Sequence, residues 1–303
     1  MIKNILQHGL ALLLILASYA AFAQSGTMPG ATDKTKPDNK TNDGTSSFKF
    51  GVNYSSNNVF MGRSDTVRTP AIIPQIKYTL KSGIYFSGSL DLIPGKKKKK
   101  LDGGDLSAGY DMDITDDLSA GASYSKLFYN SNSTQIASSV TSTFNVNLNY
   151  DLGDIISALL NADYNLNKKG INNDVFLNAG ITHDFSITGV FGDDDIFLIS
   201  PTVAGNAGSQ NFYDGYLIKK NFKSAKRTAA QNALVAQYSA TLGRFSLLDY
   251  ELSAPLEYKT GHFIFQFTPT YAIVENQLPK QIAAALSTHT SVFYFETGVF
   301  LKF

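Results

Sequence analysis

The sequence predicts an all-β chain: a transmembrane, antiparallel, up-and-down β-barrel of about twelve strands covering residues 47–303. Three observations carry this. From Ser47 onward apolar and polar residues alternate with period two almost without a break. The connections between alternating segments are short and long in turn. The final segment, SVFYFETGVFLKF, keeps the alternation up to Phe303, where chain ends usually fray.

Residues 1–23 read as a secretory signal peptide. Lys3 supplies the positive charge, GLALLLILASYAA the apolar run, and Ala21-Phe22-Ala23 the small-x-small cleavage pattern. Residues 24–46 hold almost no large apolar side chain and are rich in Gly, Pro, Thr, Asp and Lys. That composition predicts a flexible periplasmic leader. Cysteine is absent, so neither disulfides nor a lipid-modified Cys at the cleavage site is expected. A net charge of +1 and export both argue against nucleic-acid binding.

The candidate strands cover 47–56, 70–80, 83–93, 104–114, 117–128, 140–152, 155–166, 173–185, 195–205, 246–258, 262–274 and 291–303. Each is close to the about 9–11 residues that a tilted strand needs to cross a bilayer. Helical periodicity stands alone in SAKRTAAQNALVAQYSA, residues 224–240. KSG, TDD, GD, KTG and the longer SITGVFGDDD make one set of turns. Residues 57–69, 94–103, 129–139, 167–172, 206–245 and 275–290 make the other. Outer-membrane barrels have this asymmetry of short periplasmic turns and long extracellular loops. A soluble sandwich would show the same alternation, so the loop asymmetry and the last strand decide between them. In strand six Phe144, Val146, Leu148 and Tyr150 form the apolar parity, and Asn145, Asn147, Asn149 and Asp151 the polar one.

Phe303, Leu301, Val299, Phe295 and Phe293 resemble the C-terminal assembly signal of bacterial outer-membrane proteins, with Thr297 a departure. The resemblance implies localisation in the outer membrane and recognition by its assembly machinery. A second stretch, NNVFMGRSDTVRTPAIIPQIKYTLKSGIYFSGSLDLI, resembles a family of uncharacterised Gram-negative outer-membrane barrels. Val59, Phe60, Gly62, Ser64, Pro70, Ser82, Gly83, Tyr85 and Gly88 fit its pattern. Met61 stands where that family has Arg, and Arg63 follows two residues later. This resemblance implies the barrel fold and no established activity.

Little suggests chemistry. His183 and His262 fall near strand ends, and His289 lies in STHTS between Ser287 and Ser291 without a nucleophile motif. Asp193–Asp195 read as a solvated turn, with Ca²⁺ capture as the sharper alternative. No cofactor or metal is expected. The stronger clue is charge placement. Lumen parity collects Asp91, Asp111, Asp113, Asp151, Asp163, Asp184, Asp249, Glu251, Glu257 and Glu296 against Lys77 and Lys302, with Lys126 as a third candidate. Basic residues gather in the long loops: Lys96, Lys97, Lys98, Lys99, Lys100, Lys168, Lys169, Lys219, Lys220, Lys223, Lys226 and Arg227. These features predict a narrow channel for passive passage of small solutes or ions with weak cation preference. The alternative is a closed structural barrel binding outer-leaflet glycolipid or a partner through its basic loops, and a third reading is an outer-leaflet lipid enzyme.

Overall fold

The computed structural model describes residues 45–65, 67–95, 100–133, 135–153, 155–219, 228–280, 282–283 and 290–303. The expected signal peptide, residues 1–23, and residues 24–44 of the expected leader lie outside them. The chain forms β1 (Ser47–Ser55), β2 (Val59–Phe60), β3 (Arg63–Ser64), β4 (Ala71–Thr79), β5 (Ile84–Leu92) and β6 (Leu101–Asp113). There follow β7 (Leu118–Tyr129), β8 (Val140–Leu152), β9 (Ile156–Asn167), β10 (Asp174–Thr182), β11 (Phe185–Thr188), β12 (Ile196–Ile199) and β13 (Thr202–Gly208). Two helices, α1 (Asn211–Lys219) and α2 (Ala229–Ser239), precede β14 (Ser246–Ser253), β15 (Leu256–Thr260), β16 (Phe263–Val274) and β17 (Ser291–Lys302).

Antiparallel pairing runs β1-β4-β5-β6-β7-β8-β9-β10-β13-β14-β16-β17 and returns to β1, closing a twelve-strand barrel. β11, β12 and β15 continue β10, β13 and β14 toward the short-turn end, where they pair onward to β16. The breaks have a chemical cause. Pro201 separates β12 from β13 and Pro255 separates β14 from β15, and proline has no N–H to give the ladder. Their carbonyls still accept: His183 N–H donates to Pro201 at 3.3 Å and Ser200 N–H to Pro255 at 2.9 Å.

One parity of every strand forms an apolar outer belt. Ile76, Phe86, Leu106, Val146, Leu160, Ile181, Tyr250, Phe263 and Val299 are all exposed, Leu106 by 61%. Among the described residues no second layer covers the outer face of this closed sheet, and in water so large an apolar surface would drive association. In a bilayer the same surface faces lipid, while the backbone groups are paired around the closed ladder.

Phe303 belongs to the closing seam. Its N–H donates to the Phe48 carbonyl at 2.9 Å and its carbonyl accepts from Phe48 N–H at 2.8 Å. Its ring stacks on His262 at 4.6 Å and on Phe50 at 6.2 Å. Phe303→Ala is expected to lower the yield of heat-modifiable, membrane-inserted barrel and leave the remainder in the periplasm. Equal inserted amounts of variant and parent would refute a role for this side chain in assembly.

Candidate functional site

The long connections, here L1 (56–70), L2 (93–100), L3 (130–139), L4 (168–173), L5 (209–245) and L6 (275–290), share one end of the barrel. The described residues of L1, L3, L5 and L6 pack together in its mouth. Ile136, Ala137, Phe212, Tyr213, Tyr216, Leu217, Val235, Tyr238, Leu242, Leu278 and Ile282 form one buried cluster with the wall residues Leu127, Val140, Phe176 and Leu248. Lumen-facing Phe176 touches both Phe60 of L1 at 5.3 Å and Phe212 of α1 at 5.9 Å. The result is an apolar plug inside a polar barrel. Its apolar side chains are buried from water within the long-loop mouth.

L1 enters through a tight hairpin. β2 and β3 are joined by Met61 and Gly62 alone, at φ 49° and 71°, the two positive values of a type I′ turn. A Cβ on Gly62 would come within 2.8 Å of the Asp249 carboxylate, so both backbone and space require glycine there. The hairpin delivers Arg63, which is buried. Its Nε donates to Gln210 Oε1 at 2.5 Å, and Nη2 donates to Tyr238 Oη at 2.9 Å and to the Asn276 carbonyl at 2.7 Å. The guanidinium lies 4.6 Å from the Tyr213 ring centroid. One side chain thus joins L1, both ends of L5 and L6. Burial pushes the Tyr213 and Tyr238 phenols up, with the Arg63 charge opposing it, so both stay neutral partners.

Two carboxylate clusters tie the plug to the wall. Asp174 on β10 accepts Asn211 N–H at 2.7 Å and Phe212 N–H at 2.8 Å, so a wall carboxylate caps the start of α1. It also accepts Ser209 Oγ–H at 2.6 Å. α1 lies so close to L3 and L4 that a Cβ on Gly215 would sit 2.8 Å from Ile171 and 2.9 Å from Ser139. Across the mouth, Gln135 of L3 donates from Nε2 to both Asp91 and Asp102 at 3.0 Å, and Ser133 Oγ–H donates to Asp102 at 2.7 Å. Asp105 accepts from Ser89 and from Ser107, the latter at 2.9 Å.

Below the plug, amide side chains link successive strands. Asn161 donates to Asn178 at 3.2 Å, Asn178 to Asn206 at 2.7 Å, and Asn206 to Asp249 at 2.5 Å. Asn145 donates to Asp163 at 2.7 Å. Toward the short-turn end the inward positions become partly exposed, among them Lys77, Tyr85, Asp111, Asn149, Asp151 and Asn161.

The inward acidic residues therefore fall into two groups. Asp91, Asp249 and Glu251 are buried under or beside the plug. Asp111, Asp151, Asp163 and Glu296 are partly exposed, and Asp113 at the end of β6 is exposed. Glu257 sits low on the wall, accepting from Gln266 Nε2 at 2.6 Å and pairing with Lys259 Nζ at 2.9 Å. Asp184 occupies the break between β10 and β11. Three further inward acids, Asp102, Asp105 and Asp174, join them. Lys126 requires correction: it shares the exposed parity of Tyr124 and Phe128 and faces outward. Lys49 and Lys259 stand on the inward parity instead, and Lys49 is the register partner of both Lys77 and Lys302.

Of the basic loop residues, Lys100 and Lys169 are exposed and Lys168 is half-buried, its pKa lowered by that burial. Lys219 ends α1. Lys96–Lys99, Lys220, Lys223, Lys226, Arg227, Ser287 and His289 lie outside the described residues. At the opposite end, Asp195 closes the β11–β12 turn. Its buried carboxylate accepts the N–H groups of Val190, Phe191 and Gly192 at 2.6–2.8 Å and the Tyr258 hydroxyl at 2.8 Å. Burial alone would raise its pKa; the Phe191, Tyr258, Gly192 and Val190 donors outweigh that and hold it at about 2. Four donors make this carboxylate a turn cap.

No protein-family model matches the sequence, and no curated protein does. Solved structures similar in fold are outer-membrane barrels. The KdgM porin is 12% identical with a TM-score of 0.46, covering 84% of this chain and 99% of its own. The NanC porin is 12% identical at TM-score 0.42, covering 84% and 98%. LpxR from Salmonella typhimurium is 8% identical at TM-score 0.44, covering 84% and 99%. The chain is a closed twelve-strand β-barrel with an apolar outer belt.

Proposed function

We propose that the barrel is a narrow conduit for small solutes or ions, with a weak cation preference, whose long-loop mouth is gated by the folded plug. The supporting observation is the inward wall. Its short-turn half is polar and partly exposed, and its carboxylates outnumber its lysines: Asp91, Asp102, Asp105, Asp111, Asp113, Asp151, Asp163, Asp174, Asp249, Glu251, Glu257 and Glu296 against Lys49, Lys77, Lys259 and Lys302. A negative lumen with low-dielectric walls concentrates cations. Twelve strands leave a bore between barrels filled by side chains and wide water-filled porins. Passage on this reading requires the plug to yield at the mouth. The outer loops meet membrane glycolipid, and insertion uses the outer-membrane assembly machinery.

The packed plug also favours a second reading, a closed barrel whose loops form a binding surface. Planar-bilayer recording separates the two. The gated conduit is expected to give brief, small openings with a reversal potential displaced toward cations. A barrel silent both as the parent and with its plug loosened would establish the closed form. An anion-selective parent would refute the assignment of the inward acids.

A further inference from the structure

The outward parity of the twelve strands carries a single charged side chain among the described residues, Lys126 on β7. Everywhere else that parity holds apolar, aromatic, small or hydroxyl residues. A lysine on a lipid face costs about 2–4 kcal/mol at mid-membrane and about 0–1 near the interface. The register places Lys126 at the cheaper height. Tyr124, Phe144 and Tyr164 stand opposite one another on β7, β8 and β9 as an outward aromatic row. Lys126 pairs with Ser142, and Ser142 with Leu166, in the next outward row toward the long-loop end. Two residues of strand rise about 7 Å. Lys126 therefore stands among the aromatic residues of the girdle, between Tyr124 and the exposed Phe128 on β7, at the depth of the membrane interface.

Its surroundings are built. Ser142, 2% exposed, accepts from Lys126 Nζ at 3.3 Å and lies 3.1 Å from the Tyr124 hydroxyl. The Tyr124 ring packs on Phe144 at 5.0 Å, which fixes the hydroxyl's position. Among the described residues no carboxylate pairs with Lys126. The ammonium keeps two protons beyond the one given to Ser142, and Lys168 and Lys169 follow directly above Leu166 at the end of β9.

We infer that Lys126, steadied by Ser142 and Tyr124, binds the phosphate of an anionic outer-leaflet lipid headgroup on the outside wall of the barrel. The site rests on the long-loop end facing outward. It does not depend on whether the lumen conducts. A hydrated phosphate in bulk could satisfy the same ammonium, but only a lipid holds its phosphate at this height beside an apolar belt.

Native mass spectrometry of the detergent-solubilised barrel tests it, with a bis-phosphorylated bacterial glycolipid and its dephosphorylated form as probes. The parent is expected to retain the phosphorylated lipid preferentially. Lys126→Gln should lower that affinity by about tenfold, the loss of one charge-assisted contact, and Lys126→Arg should restore it. Heat-modifiable migration of each variant verifies that it is folded. Equal binding of the phosphorylated lipid by Lys126→Gln and parent overturns the inference. So does full displacement of the lipid by inorganic phosphate at millimolar concentration, which would make this a free-phosphate site.

Discussion

Replacing Arg63 with methionine is expected to open the barrel: more frequent and larger conductance events, and faster proteolysis of the long loops, with an intact wall. The side chain is buried and makes three hydrogen bonds plus a ring contact that join its own loop L1 to L5 and L6. Methionine retains much of its apolar volume but leaves Gln210, the Tyr238 hydroxyl and the Asn276 carbonyl without their donor. Each buried acceptor left unsatisfied costs about 1–3 kcal/mol. A loss of about 3 kcal/mol from the closed form shifts the closed-to-open ratio by about a hundredfold. The strand ladder contains none of these bonds, so heat-modifiable migration should be unchanged. Arg63→Lys, which cannot reproduce the planar fork, should fall between the two. Unchanged conductance together with unchanged loop proteolysis would show that Arg63 is not the clamp.

The wall was legible in the sequence because a membrane barrel repeats one simple rule. Lipid demands an apolar residue at every second position, and that rule located every strand of the closed ring to within a few residues. Departures from the repeat were harder to see. Pro201 and Pro255 break their strands although the apolar pattern continues across them. Between Leu92 and Asp91 the register slips, leaving Asp102 as an extra residue on β6, and Leu248 is likewise extra beside Asp249. Such bulges shift parity, so an alternation count misses Asp102. Asp105 and Lys49 needed only a stricter count, since Asp105 shares parity with Asp111 and Lys49 alternates with Phe48 and Phe50, whereas Lys259 fell in the KTG turn beyond the expected strand end. Lys126 was misplaced by the opposite error.

The plug was less legible because its contacts are between loops far apart in sequence, with no period to reveal them. Helical periodicity over 224–240 did anticipate α2, whose described span is Ala229–Ser239. The segment NFYDGYLIK held a further sign, a dense aromatic and aliphatic run in what should be a solvated loop. Gln135 and Gln210, which turn out to hold carboxylate and guanidinium groups in the mouth, looked like any polar loop residue. Arg63 stood out only through its displacement from the family position at Met61.

Exchanging Lys49, Lys77 and Lys302 together for glutamine is expected to strengthen cation preference in the open state. Lys49 faces Lys77 on one side and Lys302 on the other, so three ammonium groups form a lateral row across β4, β1 and β17 near the short-turn mouth. Like charges opposite one another on a sheet are unfavourable, and three contacts temper them: Lys77 lies 3.7 Å from Asp111 and 4.0 Å over Tyr85, while Lys49 lies 4.6 Å over Phe300. The row opposes the acidic wall at the narrow end, which is why the expected parent preference is weak. One charge at about 8 Å in water is worth about 0.5 kcal/mol, slightly more than a factor of two in local ion occupancy. Removing three such charges raises local cation occupancy by about tenfold and lowers anion occupancy by a similar factor, so the cation-to-anion permeability ratio should rise by at least about tenfold. Loop lysines outside the mouth act at distances beyond the Debye length of about 8 Å and contribute little. The sign distinguishes the two sets: Asp111→Asn with Asp151→Asn should move the reversal potential the other way. A triple variant with unchanged reversal potential would place the ion path away from this wall, and one shifted toward anions would overturn the inward assignment of the row.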